Sequence, residues 1–596
     1  MKIYYFIKSI YGSRIYFRTA VMMSLSFIVA VAQFLATQHL GSIIDAVEKG
    51  LEETFYHFST IAVSLLVYTI GSAAVTFFGG NMLAGFVCSM QVHLGAKICS
   101  VQYRAMEQTE EGELLAMVTR DIDSIKNWIE LVMKCGILPV CLGIVPVTLF
   151  QWCNWKFALC VLCAIPLNAV PGVLFAQKLS PFHEKEKSAY ARVLSHFTDS
   201  LQFIMLIKAF QLEQIFRDRH REKLDEYGKI RKRRLWLERL TEEYNRCFGH
   251  ISSILLLFLS AYFIYSGEMT LGRLTSVILL ANFVGEGLLV LGSVPLCLPA
   301  AKAGTERIRK FFELQDEDVW DRQVQTFQAQ KGMPVFEMRE LSFSYGNTVV
   351  LQDINCLVEE GEKIAVVGFS GSGKTTLFKL LGGLYTTGKN QVYFRGKDMA
   401  ELSLQVIREQ ITVAVQEAFL FQATFRDNIK MAKEEGGEEE LIAACKNAQL
   451  DPYIRTLAGG YDTKVNTTVQ SVSKGQMQRI NLARAFFKSG DIFLLDEPVS
   501  ALDCGTAAAI WDYLFSDCAD RTLLVILHDL EEVQRFDKVL VLSEGKVAAF
   551  GTHDELFRSC ELYRKLYQEK MANRKKGQTQ KGEDRKLRQP ERKENA

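Results

Sequence analysis

The sequence predicts a multidomain chain, an all-α six-span transmembrane domain followed by an α/β domain built on a phosphate-binding loop. Three observations predict it. Apolar runs long enough to cross a bilayer crowd the chain before residue 301, and Lys and Arg fall almost wholly on one side of those runs. After Lys302, short β-rich segments alternate with helical ones around a glycine-rich loop. The 596 residues exceed what one hydrophobic core organises, so more than one domain is expected. Lys plus Arg number 69 against 68 Asp plus Glu, and a net charge of +1 gives no basis for a nucleic-acid partner. The 14 cysteines do not read as a metal or disulfide framework. No two CxxC pairs stand at zinc spacing, and Cys88, Cys135, Cys141, Cys160, Cys163 and Cys297 lie in apolar runs, where cysteine packs as a small hydrophobe.

Residues 1–19 carry Lys2, Lys8, Arg14 and Arg18 among aromatics and read as a helix lying on the cytoplasmic interface rather than a cleavable signal. The transmembrane domain is placed at residues 20–314. Its spans are Ala20–Leu40, Thr54–Ala96, Cys135–Trp155, Phe157–Gln177, Cys247–Gly267 and Leu274–Ala301. The second run holds 43 residues without a charge and has room for two short spans joined at Gly79-Gly80-Asn81. Charge placement decides against that. With six spans, residues 1–19, 97–134 and 178–246 hold 4, 5 and 16 Lys/Arg, while the three opposite loops hold one each, at Lys49, Lys156 and Arg273. Trp152 and Trp155 suit an interfacial belt. Residues 182–245 are charged and free of Pro, so the helices are expected to continue out of the membrane. Glu286 is the one charge between Leu274 and Ala301. A charge at the bilayer centre costs about 2.5–3.5 kcal/mol unless it meets water or a partner. Glu286 is therefore a candidate for facing a substrate cavity and meeting a cationic ligand, against the plainer reading of a hydrogen bond between helices.

The α/β domain is placed at residues 315–570. The apolar run Lys363–Val367 leads into Gly368-Phe-Ser-Gly-Ser-Gly-Lys-Thr-Thr376 and then an apolar helix, which is GxxxxGK[ST] in a strand–loop–helix setting. Backbone N–H groups of Gly368, Ser370, Gly371, Ser372, Gly373 and Thr376 would close around phosphates at a positive helix end. Lys374 would neutralise phosphate charge, and Thr375 would offer its hydroxyl to Mg²⁺. A second apolar strand, Ile492–Leu495, ends in Asp496-Glu497. There Asp496 is placed to hold Mg²⁺ and Glu497 to polarise an attacking water. Residues 571–596 hold nine Lys/Arg and four acidic residues with almost nothing apolar, and read as a disordered charged tail.

With these motifs in this order, the chain resembles an exporter-type ATP-binding cassette (ABC) half-transporter over roughly residues 1–567. The resemblance implies ATP and Mg²⁺ as cofactors, and an ABC ATPase of the P-loop kind. It also implies a multi-pass protein of the plasma membrane, with the nucleotide-binding domain and both termini cytoplasmic. It gives Tyr345 the role of stacking on adenine, and Gln416 that of reaching Mg²⁺ and the attacking water. Asp503, closing Ser500-Ala-Leu-Asp503, would sit in the loop that crosses to the partner, and His528 would contact the γ-phosphate. Gly112–Leu114 with Arg120-Asp121 resembles the first coupling segment, and Lys208–Phe210 with Glu213 the stretch beside the second. Thr270–Gly272 and the Pro295 region resemble the final span, and Glu306–Ile308 the exit to the linker. One motif departs. The family's LSGGQ cap reads Val472-Ser-Lys-Gly-Gln476, so Ser473, Gly475 and Gln476 keep their places while Lys474 replaces a glycine. The glycine-rich stretch before it is replaced by Asn466–Val469.

The function expected is ATP-driven export of an amphipathic small molecule, drug or peptide by a dimer in the lipid bilayer. The altered cap favours a heterodimer with a second half-transporter over a homodimer. The alternatives are a siderophore or metallophore importer of the same fold, and a weakly hydrolysing regulatory subunit.

Overall fold

The computed structural model of the chain describes residues 12, 14–47, 50–152, 155, 158–159, 181–182, 185–317, 332–416, 419–433, 435–465 and 472–571. The interfacial helix expected over residues 1–19 lies mostly outside them. So do most of the Phe157–Gln177 span, the Asn466–Val469 stretch, the Pro295 side chain and the tail beyond residue 571. The chain divides into two compact units, residues 1–99 with 109–314, and residues 100–108 with 315–596.

The first unit is helical. Its described rods include α1 (Arg14–Ala46), α2 (Leu51–Ser100), α4 (Glu111–Trp152), α5 (Glu213–Tyr265) and α6 (Leu271–Phe312); the five-residue α3 (Tyr103–Glu107) falls in the second unit. Four of them, α1 from Ile15, α2, α4 and α6, are long and apolar enough to cross a membrane. The charge-free second run lies in one unbroken helix of 50 residues, about 75 Å at 1.5 Å per residue, so Gly79-Gly80 does not turn the chain. Only 6% of its most apolar window is buried within the chain, which leaves Leu65, Leu66, Ile70, Phe77 and Phe78 exposed as an apolar surface. Helix α5 carries the charged stretch directly into the fifth apolar run. The helical extension expected over 182–245 is interrupted, however. The short helix Ile204–Ala209 ends at Phe210, and Gln211 turns through the left-handed region at φ 54.

Helices α1 and α6 approach backbone to backbone at Gly41 and Gly272. A Cβ on Gly41 would stand 2.0 Å from the Gly272 carbonyl oxygen, and one on Gly272 would stand 2.1 Å from that of Gly41. Asp45 fastens the contact by accepting from the Thr270 hydroxyl at 2.5 Å and from Gly272 N–H at 2.9 Å. At the other end of α6, Arg307 grips buried Asp121 with two hydrogen bonds of 2.7 and 2.5 Å, and Gly304 lies against Asp121. Between these fastenings Phe34, Val140, Cys141, Val145, Leu280, Phe283 and Val284 form an apolar core, so Cys141 is packing material there.

The second unit holds ten strands among the described residues: β1 (Phe336–Tyr345), β2 (Thr348–Val358), β3 (Lys363–Gly368), β4 (Val392–Phe394), β5 (Lys397–Asp398), β6 (Ile411–Ala414), β7 (Ile492–Asp496), β8 (Thr522–Ile526), β9 (Lys538–Ser543) and β10 (Lys546–Gly551). Strands β2-β1-β4-β5 form an antiparallel sheet. Strands β10-β9-β3-β8-β7-β6 form the larger sheet, parallel except for the β10 edge. β7 and β8 are buried along their whole length and read as continuous apolar runs, as a sheet covered on both faces requires. The helices that position the site are α7 (Lys374–Leu381), α8 (Lys474–Lys488), α9 (Cys504–Asp512) and α10 (residues 561–571).

Residues 100–108, placed by sequence in the membrane domain, group instead with the second unit. Val101 bridges to Asp316, and Gln102 N–H donates to the Gln315 carbonyl at 3.2 Å. Helix α3 then sets Arg104 on the Ser344 carbonyl and Glu107 on Lys379, at 2.8 Å each. The segment with these contacts lies upstream of Gly112–Leu114, the stretch that the sequence singles out.

Candidate functional site

The ends of β3, β7 and β8 lie side by side because parallel pairing aligns Val366 with Ile526, and Ile526 with Asp496. Parallel strands deliver their C-terminal loops to one edge, and there they enclose a cavity of about 710 Å³. Gly368, Ser370, Gly371, Gly373, Lys374, Thr375, Thr376, Gln416, Asp496, Glu497 and His528 line it. Residues that the sequence presents as separate motifs thus face one space.

The phosphate loop is shaped by contacts that only glycine permits. A Cβ on Gly368 would lie 2.2 Å from the Leu542 carbonyl oxygen. Gly373, with φ +98, would meet the Leu351 side chain at 2.6 Å. The loop therefore runs pressed against strands of both sheets, β9 and β2, and opens into α7 with Gly373 as N-cap. Ser372 is buried, and its Oγ has no hydrogen-bond partner among the described residues. An orphaned donor inside a cradle of backbone N–H groups fits a phosphate oxygen.

Lys374 turns its ammonium onto the Gly368 and Phe369 carbonyls at 3.0 and 2.8 Å. Burial holds it below its ordinary pKa, against the opposing pull of Asp496 and Glu497. Thr375 Oγ1 donates to Asp496 Oδ2 at 3.1 Å. Asp496 is buried, and burial raises its pKa above the usual carboxylate range even though the Thr375 bond favours the charged form. Hydroxyl, carboxylate and the Gln416 amide form an oxygen-donor set suited to Mg²⁺. Gln416 Nε2 donates to Glu497 Oε2 at 3.1 Å, so the two side chains expected at the attacking water hold each other. Glu497 itself has φ 48, a left-handed conformation that a branchless side chain tolerates at some cost.

Three side chains that sequence reasoning left without a role secure these loops. Gln478, Asn481 and Arg484 recur every third residue along α8 and so share one face. Gln478 donates to the Glu497 carbonyl at 2.5 Å and accepts from Ala501 N–H at 2.9 Å. Asn481 donates to the Val415 carbonyl at 2.8 Å, beside Gln416. Arg484 binds the Phe419 and Asn428 carbonyls at 2.6 and 2.7 Å. The only signal in sequence was that three-residue spacing of amide and guanidinium groups.

Other expected site residues lie apart. Tyr345 does not line the cavity: its hydroxyl meets that of Tyr385 at 3.0 Å, and its ring stands edge-on to Phe343 and Tyr385. Tyr385 in turn donates to Glu107. Ser473, Gly475 and Gln476 open α8 outside the cavity wall, with Ser473 and Gln476 capping each other reciprocally. Asp503 caps α9 by accepting from Thr506 N–H at 3.0 Å. Glu286 is exposed on α6, next to a Gly287 that sits tightly against Cys141.

Comparison with known proteins gives two family matches, to the ABC transporter transmembrane region over residues 19–286 and to the ABC transporter model over residues 351–500. An ATP-dependent lipid A-core flippase of Syntrophus aciditrophicus is 28% identical over 461 residues, 77% of this chain and 76% of that one. A putative multidrug export ATP-binding/permease protein of Bacillus subtilis is 25% identical over 474 residues, 79% of this chain and 81% of the other. Among solved structures, a bacterial Atm1-family ABC exporter with ATP bound superposes with a TM-score of 0.75 and 20% identity, covering 93% of this chain and 98% of that one.

Proposed function

The chain belongs to the ABC transporters, a transmembrane region fused to an ABC ATPase, and from that premise we propose that it exports an amphipathic small molecule, drug or peptide as one half of a heterodimer in the plasma membrane. It is an ATPase coupled to transmembrane transport. The observation that carries the proposal is the single cavity in which Lys374, the Thr375–Asp496 pair, the Gln416–Glu497 pair and His528 converge. The excess of Lys and Arg in residues 1–19, 97–134 and 178–246 supports cytoplasmic termini and a cytoplasmic ATPase. The names of the flippase and multidrug-export relatives support export and an amphipathic cargo.

In this reading the backbone N–H groups of residues 368–376 and the Lys374 ammonium bind the phosphates of ATP. Thr375, Asp496 and Gln416 would hold Mg²⁺, which when bound supplies positive charge beside the transferring phosphate. Glu497 orients and polarises the attacking water, with Gln416 fixing its carboxylate through Oε2. His528 donates to the γ-phosphate. The cap over these groups comes from the partner's signature, while Ser473, Gly475 and Gln476 serve the partner's site and Asp503 the loop between them. Tyr345 takes the adenine side. Glu286 meets a cationic portion of the cargo, because a carboxylate within the bilayer needs a compensating charge or water.

The test is ATP-dependent accumulation of a fluorescent amphiphilic cation in inside-out vesicles. Wild-type complex should accumulate it, Lys374→Ala should not, and Glu286→Gln should lower accumulation several-fold. Accumulation that ignores ATP, or ATP-driven uptake into intact cells, overturns export.

A further inference from the structure

Helix α10 enters the same cavity from the far end of the chain: Leu566, Glu569 and Lys570 line it together with the phosphate loop. Lys570 Nζ stands 3.1 Å from His528 Nε2. An ammonium has donors and no acceptor, so Nε2 must accept in this contact and the ring proton belongs on Nδ1. A phosphate oxygen is also an acceptor. His528 Nε2 therefore cannot serve Lys570 and a phosphate at once; the ring proton must pass from Nδ1 to Nε2 by tautomer exchange, and the lysine bond is given up. The displaced ammonium is then within reach of the group that displaced it, in a wall that already holds Lys374. Lys374 and Lys570 line the same cavity, which places the two cations in one field. Glu569 lies beside Lys570 on the cavity wall, so the helix turn offers a cation and an anion to the same space.

We propose that Lys570 is a second phosphate ligand for ATP, exchanged from His528 to the terminal phosphate, so that α10 follows the nucleotide in the site. The proposal rests on the reading of His528 as the histidine that meets the γ-phosphate. Charge-assisted hydrogen bonding to phosphate gives the exchange its direction, because a lysine–phosphate bond joins opposite charges and a lysine–imidazole bond does not.

The experiment is equilibrium binding of Mg·ATP and Mg·ADP to the full chain in detergent, in a Glu497→Gln background so that ATP is not consumed. Lys570→Met should weaken ATP about tenfold, the size of one charge-assisted bond, and leave ADP within about twofold. Lys570→Arg should recover most of the ATP affinity. The proposal is overturned if Lys570→Met binds ATP as tightly as its parent or more tightly. It is equally overturned if ATP and ADP weaken together and Lys570→Arg restores neither. Lys374→Ala separates the two readings. If that variant loses both nucleotides while Lys570→Met loses neither, the lysine proposal alone has failed. If it keeps both, the phosphate-loop reading has failed and the lysine proposal goes with it.

Discussion

The phosphate-loop face and the signature stretch lie in the same unit, yet their polar groups are held differently. On the phosphate-loop face the reactive side chains other than Ser372 are held inside the chain. Lys374 rests on two carbonyls, Thr375 on Asp496, Gln416 on Glu497, and the Glu497 backbone on Gln478. In the signature stretch only the cap of the helix is fastened. Ser473 N–H donates to Gln476 Oε1 at 2.9 Å, and Gln476 N–H to Ser473 Oγ at 3.1 Å. Gly475 lies close to the Ala501 carbonyl, where a Cβ would stand 3.0 Å away. Lys474 between them is exposed. The difference teaches that local folding preserves the geometry of the cap even where its surface chemistry changes: the reciprocal capping box of Ser473 and Gln476 forms with Lys474 beside it.

The largest effect expected on this comparison is Glu497→Gln. Removing the charge that polarises water while keeping the Gln416 contact should lower ATP turnover on the order of a hundredfold or more, with ATP affinity kept and a closed dimer trapped. Steady-state ATPase measurement on the assembled complex, beside nucleotide binding, checks it. Unchanged turnover refutes the role of Glu497.

A smaller effect is expected at Gln478, where the two regions are joined. Its amide spans from α8 to the Glu497 carbonyl and Ala501 N–H. Gln478→Ala leaves both groups without that partner and lets the Glu497 backbone relax from its left-handed conformation. Turnover should fall about tenfold, the consequence of a misplaced water-orienting group, with ATP affinity within about threefold of wild type. A loss of ATP binding equal to the loss of turnover would show that Gln478 merely stabilises the fold.

The two regions also differ in how far the sequence reveals them. The phosphate loop, Asp496-Glu497 and the single helix over Thr54–Ala96 are legible because their chemistry demands fixed residue types at fixed spacing, or because charges count the membrane crossings. The clamp by Gln478, Asn481 and Arg484, the approach of Lys570 to His528 and the Tyr345–Tyr385–Glu107 chain are not legible. They join residues tens to hundreds of positions apart, and the three-residue spacing along α8 places three side chains without saying what they meet. The grouping of Ser100–Gln108 with the second unit escapes for the same reason: its partners, Gln315 and Asp316, follow more than two hundred residues later.

The smallest expected effect is at Lys474 itself, and it bears on the heterodimer. Under that proposal a partner with an ordinary LSGGQ completes the site over Lys374 and Glu497, while the site capped by Val472–Gln476 turns over slowly or only holds ATP. Lys474→Gly then acts on the slow site and should change total ATPase by no more than about twofold, since most turnover comes from the other. The competing arrangement is a homodimer in which Lys474 contacts phosphate as an added cation. There both sites carry the same cap, and Lys474→Gly should lower ATP affinity and turnover together. Mass measurement and ATPase assay on the chain expressed alone separate the cases before any substitution is made. A stable dimer of identical chains with full transport-coupled turnover sinks the heterodimer. A monomer, or a weak dimer that gains activity only on adding a second half-transporter, supports it. The comparison of the two regions then becomes a division of labour between two polypeptides, in which this chain supplies the competent phosphate-loop face and receives its working cap from the partner.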